Sequence, residues 1–225
     1  MYIYIMITGD LNIVVVSNDK EYAQAMKVRR DVFVDEYKIP ADKEFDGNDF
    51  CATHILALDN DKPVGTMRIR YFNGFVKMER MCVVKNYRKT NVSEQIMQKG
   101  MLFAAQKGYE KAYGVCKAEL LNRWKQNGFE PIMGADTVEQ NGMKLIPVCC
   151  RLPEVENVIT MHSDANILNA KEGNWFNNEQ DDAVSRINRL TQKVRKIKHS
   201  DETSDKMWHA PLIYPILYKT DNKTH

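Results

Sequence analysis

Long apolar runs are missing from this 225-residue sequence. No stretch approaches the roughly 18 apolar residues that a membrane-crossing helix needs, so no span is expected. Cysteine is sparse. Cys51, Cys82, Cys116, Cys149 and Cys150 form an odd set with no CxxC spacing, which reads as free thiols in a reducing, cytoplasmic setting. The five histidines show no ligand spacing with one another or with the cysteines, so no metal is expected. Net charge is also small: 32 Lys and Arg against 30 Asp and Glu leave +2. The whole molecule therefore gives no argument for nucleic-acid binding, and any basic surface must be local. The apolar stretch 1–16 has no basic flank and is broken by Gly9, Asp10 and Asn12, unlike a signal peptide.

What is present is ordinary for a globular chain, 44% hydrophobic and 28% charged, with length for one sizeable domain or a domain plus an appendage. Residues 13–16 read as a strand and 1–8 as a second strand or an irregular lead-in. Asn18 with Glu21 has the form of a capping box. Tyr22, Met26, Phe33 and Tyr37 then recur at helical spacing until Pro40 stops the helix. An acidic loop spans 42–49.

Residues 54–58 and 64–71 flank the turn Asp59-Asn60-Asp61-Lys62, and Asn73-Gly74 leads into 75–84. These make a three-strand antiparallel meander. Helical spacing returns over 93–107 and stops at Gly108. A strand at 111–116 and a short helix at 118–126 follow. Two strands, 129–135 and 143–151, close the pattern around a turn at 140–142. The order predicts a mixed α/β (α+β) sheet in which strands 75–84 and 111–116, joined by a helical crossover, run parallel.

The core domain is read as 11–152 and a C-terminal extension as 153–225. The extension holds an irregular segment, an amphipathic helix over 179–198 and an apolar tail over 208–218. Arg186, Arg189, Lys193, Arg195, Lys196 and Lys198 give that helix a basic face. The extension is expected to cover a substrate site or support a homodimer, and the basic helix could meet a protein or nucleic-acid partner.

Four segments in sequence resemble the GNAT superfamily of N-acetyltransferases. They are Val28 to Glu36 with the acidic loop and Ala52-Thr53-His54; Pro63-Val64-Gly65-Thr66-Met67-Arg68; Cys82-Val83-Val84-Lys85-Asn86-Tyr87-Arg88; and Leu121 to Phe129. The resemblance implies a GNAT-like acyl-CoA N-acyltransferase fold, with acetyl-CoA or another acyl-CoA as co-substrate and a small-molecule amine as acceptor.

It also implies where each part of the chemistry lies. A diphosphate needs backbone N–H donors at a helix N-terminus, where the macrodipole favours negative charge. The corresponding loop is Arg88, Lys89, Thr90, Asn91, Val92 and Ser93, with Asn91 and Ser93 where the family has small residues, usually glycine. Backbone N–H groups of Met81, Cys82 and Val83 would polarise the thioester, as an oxyanion hole does. Glu79 is the candidate base, and Tyr113 and Cys116 are candidate proton donors. Trp124 replaces the family's frequent tyrosine and lines the acceptor side. Glu44 and Asp46, with Asp49, would read a cationic amine. Arg29 and Arg68 would bind a carboxylate or pair with the acidic loop.

Two other readings are open. Glu79-Arg80-Met81 and the R-x-V-F run are also similar to autoinducer and N-acyl amino acid synthases, whose donors often ride on a carrier protein. The altered loop and Trp124 instead suit a catalytically silent GNAT-like binding module.

Overall fold

The computed structural model describes residues 11–173. The lead-in at 1–8, the helix at 179–198 and the tail at 208–218 lie outside the described residues.

Asn18 starts the first helix, α1 (Asp19–Arg29), by accepting a hydrogen bond from Glu21 N–H at 3.0 Å. The Glu21 carboxylate reaches one residue further back than in a standard capping box, to Ser17 N–H at 2.8 Å. Where one continuous helix was expected to Tyr37, the chain widens into π-helical turns over Arg30–Glu36. Tyr37 N–H bonds Val32 C=O, and Ile39 N–H reaches Phe33 C=O. The wider turn holds Val28, Val32 and Phe33 together against Cys82 and Val84. Such turns often occur at functional sites.

The sheet is mixed α/β. β1 (Leu11–Val15), β2 (Thr53–Asp59), β3 (Lys62–Phe72) and β4 (Phe75–Val83) form antiparallel neighbours in that order. Beyond β4 come β5 (Lys111–Cys116), β8 (Met143–Arg151) and β6 (Glu130–Pro131), and β7 (Val138–Gln140) pairs with β8 alone. Among the described strands only β4 and β5 run parallel, joined by the crossover helix α3 (Val92–Gln106). The expected meander is present, its first turn carrying Asn60 and Asp61 at positive φ and its second Gly74 at φ 80°. The expected strand 129–135 is a correction. The register with β8 runs over Glu130–Pro131, Ile132 N–H still reaches Pro147 C=O at 3.0 Å, and Gly134 at φ 74° then turns the chain away before the short β7.

Alternation along the strands sends α1 and α3 to opposite faces. Ala25 of α1 packs on Leu56 and Leu58. On the other face Gly100 lies so close to β3 that a Cβ there would stand 2.3 Å from Met67 Cε. Short helices α2 (Ala41–Glu44), α4 (Leu121–Gln126) and α5 (Ala165–Leu168) complete the elements.

The described part of the extension lies at the C-terminal end of α3. Leu152, the last core residue, donates its N–H to Glu110 C=O, and within the extension Ile159 N–H bonds Gln106 C=O, both at 2.8 Å. Glu172 then meets Lys107 Nζ at 2.6 Å and Thr53 Oγ1 at 3.2 Å. This is the end of α3 remote from its N-terminus, about 22 Å away for 15 residues.

Candidate functional site

The feature that organises the site is a parting of strands. β4 and β5 share two register pairs, Val76↔Ala112 and Lys77↔Tyr113, and then separate. A bulge in β4 lies just beyond. Arg68 pairs with Glu79 and Thr66 with Cys82, so Arg80 and Met81 together oppose Met67. Arg80 takes a left-handed φ of 54°, unusual for a side chain of its size.

The register decides which amides face the gap. Val84 N–H bonds Val64 C=O at 2.9 Å. Alternation then turns Cys82 toward β3, and Val83 and Met81 away from it. The Val83 carbonyl confirms the direction, because it accepts Arg88 Nε at 2.9 Å. Of the three amides expected to polarise a thioester, the register directs those of Met81 and Val83 to the gap and that of Cys82 into the sheet.

The front of α3 comes close to this gap because Gly65 has no side chain. A Cβ there would meet Ile96 Cδ1 at 2.7 Å and Val83 and Val92 at 3.2 Å. Asn91 stands at the N-cap with φ −84° and ψ 7°, and its side chain caps nothing. An extended residue would fold its oxygen onto the N–H groups of the first turn. Instead Asn91 Oδ1 is buried without a hydrogen-bond partner among the described residues. Thr90 ties the loop down by donating to Tyr87 C=O at 2.6 Å.

Arg88, expected to face phosphate, is held elsewhere. Its two terminal nitrogens bond the Glu36 carboxylate, and its guanidinium lies over the Tyr37 ring at 5.4 Å. The π-helical turn is what brings Glu36 and Tyr37 there. Lys89 is exposed in the same loop.

The proton-transfer candidates are separated by strand alternation. Tyr113 sits at the fork, in register with Lys77 and half-buried. Burial pushes its phenol pKa upward, so it is a protonated donor at neutral pH. Cys116 is three residues on and faces the opposite side, where burial raises the thiol. Trp124 packs on that opposite side too. A Cβ at Gly114 would be 2.5 Å from its ring, so Trp124 floors the fork and meets Phe129 edge-on at 4.8 Å.

Glu79 is not an isolated carboxylate. Burial raises its pKa, but the bond from Lys77 and the charge of Arg68 outweigh that and hold it low. Lys77 Nζ lies at 2.8 Å and Arg68 Nη2 at 2.7 Å, so its lone pairs are occupied. A carboxylate held ionised by two cations is a poor acceptor of a proton.

The acidic loop is likewise committed. Arg29 bonds Glu44 at 2.6 Å and also Asp49. Arg68 bonds Asp46 at 2.7 Å and Asp49 at 2.9 Å, and Arg80 meets Glu44 at 3.0 Å. Arg29 and Arg68 are fully buried. Of the two roles considered for these arginines, the structure displays pairing with the loop. The Glu44 and Asp49 carboxylates are turned inward, whereas Asp46 keeps part of its surface in solvent while paired with Arg68 and Arg80. His54 is buried beside them, with Nε2 3.7 Å from Asp49, too long for a hydrogen bond. Among the described residues no three His, Cys, Asp or Glu side chains are placed to hold a metal ion, and no helix is long and apolar enough to cross a membrane.

Residues missed by sequence reasoning are Glu36 and Tyr37, Gly114, Arg70 and Lys77. Only the adjacency of Lys77 to Glu79 on an alternating strand was a usable signal.

Comparison with known proteins agrees with this geometry. Residues 22–129 match the acetyltransferase (GNAT) family. The chain is similar to the uncharacterized N-acetyltransferase YjcF of Bacillus subtilis, with 39% identity over 85 residues. That match covers 38% of this chain and 61% of YjcF, less than two thirds of the relative. An acyl-CoA N-acyltransferase from Pseudomonas aeruginosa superposes with a TM-score of 0.55 at 20% identity, over 63% of this chain and 99% of that one. BjaI, a CoA-dependent acyl-homoserine lactone synthase solved with SAM and isopentyl-CoA, gives 0.54 at 16% identity, over 63% and 84%. At such identities the two structures establish a shared fold.

Proposed function

Since residues 22–129 place this chain in the acetyltransferase (GNAT) family, we propose that it moves an acetyl or other acyl group from acyl-CoA to the amine of a small molecule. The observation that carries the reading is the parting of β4 and β5 after Lys77↔Tyr113, with the uncapped front of α3 beside it.

Acyl-CoA supplies a thioester carbonyl that an amine can attack. The new N–C bond replaces the C–S bond, and the proton lost by nitrogen ends on sulfur. Amides of Met81 and Val83 donate to the carbonyl oxygen as it gains charge. First-turn N–H groups of α3, left uncapped by Asn91, take the diphosphate, with Lys89 adding charge. Tyr113 is the residue assigned to proton delivery, since it alone of the candidates is both protonated and at the fork. Glu79 serves to position Lys77 rather than to accept a proton. Acceptor identity and acyl length are read at this stage only as amine and acyl.

Calorimetry with acetyl-CoA tests the reading. We expect binding in the micromolar range, and CoA thiol release when amines are added. Asn91→Asp should weaken binding by about tenfold, because it sets an anion against the diphosphate at a helix front. No binding by the wild type at high micromolar acetyl-CoA would overturn the enzyme reading in favour of a silent module. Unchanged affinity in the variant would show that this loop does not hold the diphosphate.

A further inference from the structure

Among the described residues, the sheet face that carries α1 is left open beyond α1 and the acidic loop, at Phe75 and Lys77 of β4 and at the adjoining ends of β5 and β8, and its composition is selective. Register partners stand on one side of a sheet. Arg70↔Lys77, Phe72↔Phe75, Lys77↔Tyr113 and Lys111↔Arg151 therefore share this face. Its side chains are exposed or half-buried, with Phe72 at 37%. Their strand neighbours Val76, Met78, Ala112 and Val148 are buried on the opposite face.

Two properties of this face point to a ligand. The first is unbalanced charge. Arg70 and Lys77 are direct cross-strand partners, and so are Lys111 and Arg151. Like charges placed opposite each other destabilise a sheet. Among the described residues of these strands the one carboxylate on this face is Glu79, already shared between buried Arg68 and Lys77, whose Nζ lies 2.8 Å from it, so one carboxylate faces four cations. Arg70 reaches it only at 3.8 Å. Glu130 of neighbouring β6 pairs with Lys125 at 3.1 Å.

The second property is an aromatic platform. Phe72 and Phe75 stack at 5.1 Å with planes 6° apart, Tyr113 meets Phe75 edge-on at 6.2 Å, and Arg70 lies over Phe72 at 5.1 Å. The platform borders the fork. Lys77 precedes Met81 by four residues on β4, about 13 Å at the rise of a strand.

We propose that this face selects the acceptor: an amine that also carries a carboxylate and a flat apolar body. The carboxylate sits on Arg70 and Lys77, the apolar body lies on Phe75 and Phe72, and the amine points along β4 into the fork. Only the placement of the amine rests on the acyl-transfer reading. The anion and platform stand on the sheet face itself.

The test separates the two. Phenylacetate has the ring and the carboxylate but no amine, and benzyl alcohol has the ring alone. Titrating both into wild type, Arg70→Lys and the double variant Arg70→Gln/Lys77→Gln, with circular dichroism to verify folding, should give a clear order. Phenylacetate should bind wild type about tenfold tighter than it binds the double variant, as loss of charge-assisted bonds requires. Arg70→Lys should keep most of that affinity, and benzyl alcohol should not discriminate. In thiol-release assays with acetyl-CoA, L-phenylalanine should be preferred over phenethylamine by wild type. Phenylacetate binding no tighter than benzyl alcohol, or equally to the double variant, overturns the proposal. If that binding pattern holds while acetyl-CoA does not bind, the acyl-transfer reading fails and the anion-binding face stands. If both bind but phenethylamine is the better acceptor, the assignment of this face to the acceptor is overturned.

Discussion

His54 illustrates how a single residue can be polar, central and still structural. It is 3% exposed, packs edge-to-face with Tyr22 at 5.5 Å, and burial lowers its pKa from the usual value to about 4. An unfolded chain takes up a proton on this ring near pH 6.5, while the folded chain resists until about 4. The unfolded state thus binds more protons between those values. Stability from this group is complete above pH 6.5, falls as pH drops toward 4, and changes no further below it. The loss is on the order of 3 kcal/mol, at 1.36 kcal/mol per pH unit. Urea denaturation from pH 7 to 4 should show the fall, and His54→Gln should flatten it; an equal slope in the variant would assign it to other groups. Tyr113 carries the opposite expectation. Tyr113→Phe should lower kcat for thiol release by about 100-fold, with little change in acetyl-CoA affinity. An unaltered kcat would remove Tyr113 from proton transfer.

At the scale of elements, closeness between α3 and the sheet depends on what is missing at Gly65. The resemblance drew attention to this glycine as part of a motif, but its reason is steric. Val92 and Ile96 occupy the space a side chain would fill. Gly65→Val should lift the front of α3, costing about 1–3 kcal/mol of stability through overpacking. It should also weaken acetyl-CoA binding, because the N–H donors move away from the gap. Equilibrium unfolding and calorimetry on the same sample check both. Stability lost with affinity intact would disconnect the helix front from the ligand. Gly114 has the same logic on the far side of the fork, where its bare backbone admits the Trp124 ring.

Over the whole molecule, a buried ionic network ties elements that are distant in sequence. Arg68 alone joins Asp46 and Asp49 of the loop to Glu79 of β4, and Arg29 of α1 joins the same loop through Glu44. Removing one partner leaves uncompensated buried charge, so Arg68→Met should cost about 3–5 kcal/mol. Arg68→Lys keeps the charge but loses the fork of donors and should cost less. Denaturant midpoints give the order; a Met variant as stable as wild type would show that the network is dispensable.

The sequence alone was enough for the order of the longer elements, the meander, the parallel crossover and the ends of β5 and β8, but not for short α2 within the acidic loop or for β7. Hydrophobic period, turn residues and chain connectivity are local signals, and the motif order carried the family. It was also enough to nominate the loop at 88–93. Tertiary structure decided the rest. Whether Glu79 is a base or an ion-pair partner depends on Arg68 and Lys77 arriving within 3 Å. Arg88 turns to Glu36 because a π-helical turn, invisible in an amphipathic pattern, carries that carboxylate across. Which amides face the gap follows from register and a bulge at Arg80. These are properties of groups brought together by folding from distant parts of the chain, and no spacing along the sequence encodes a distance between them.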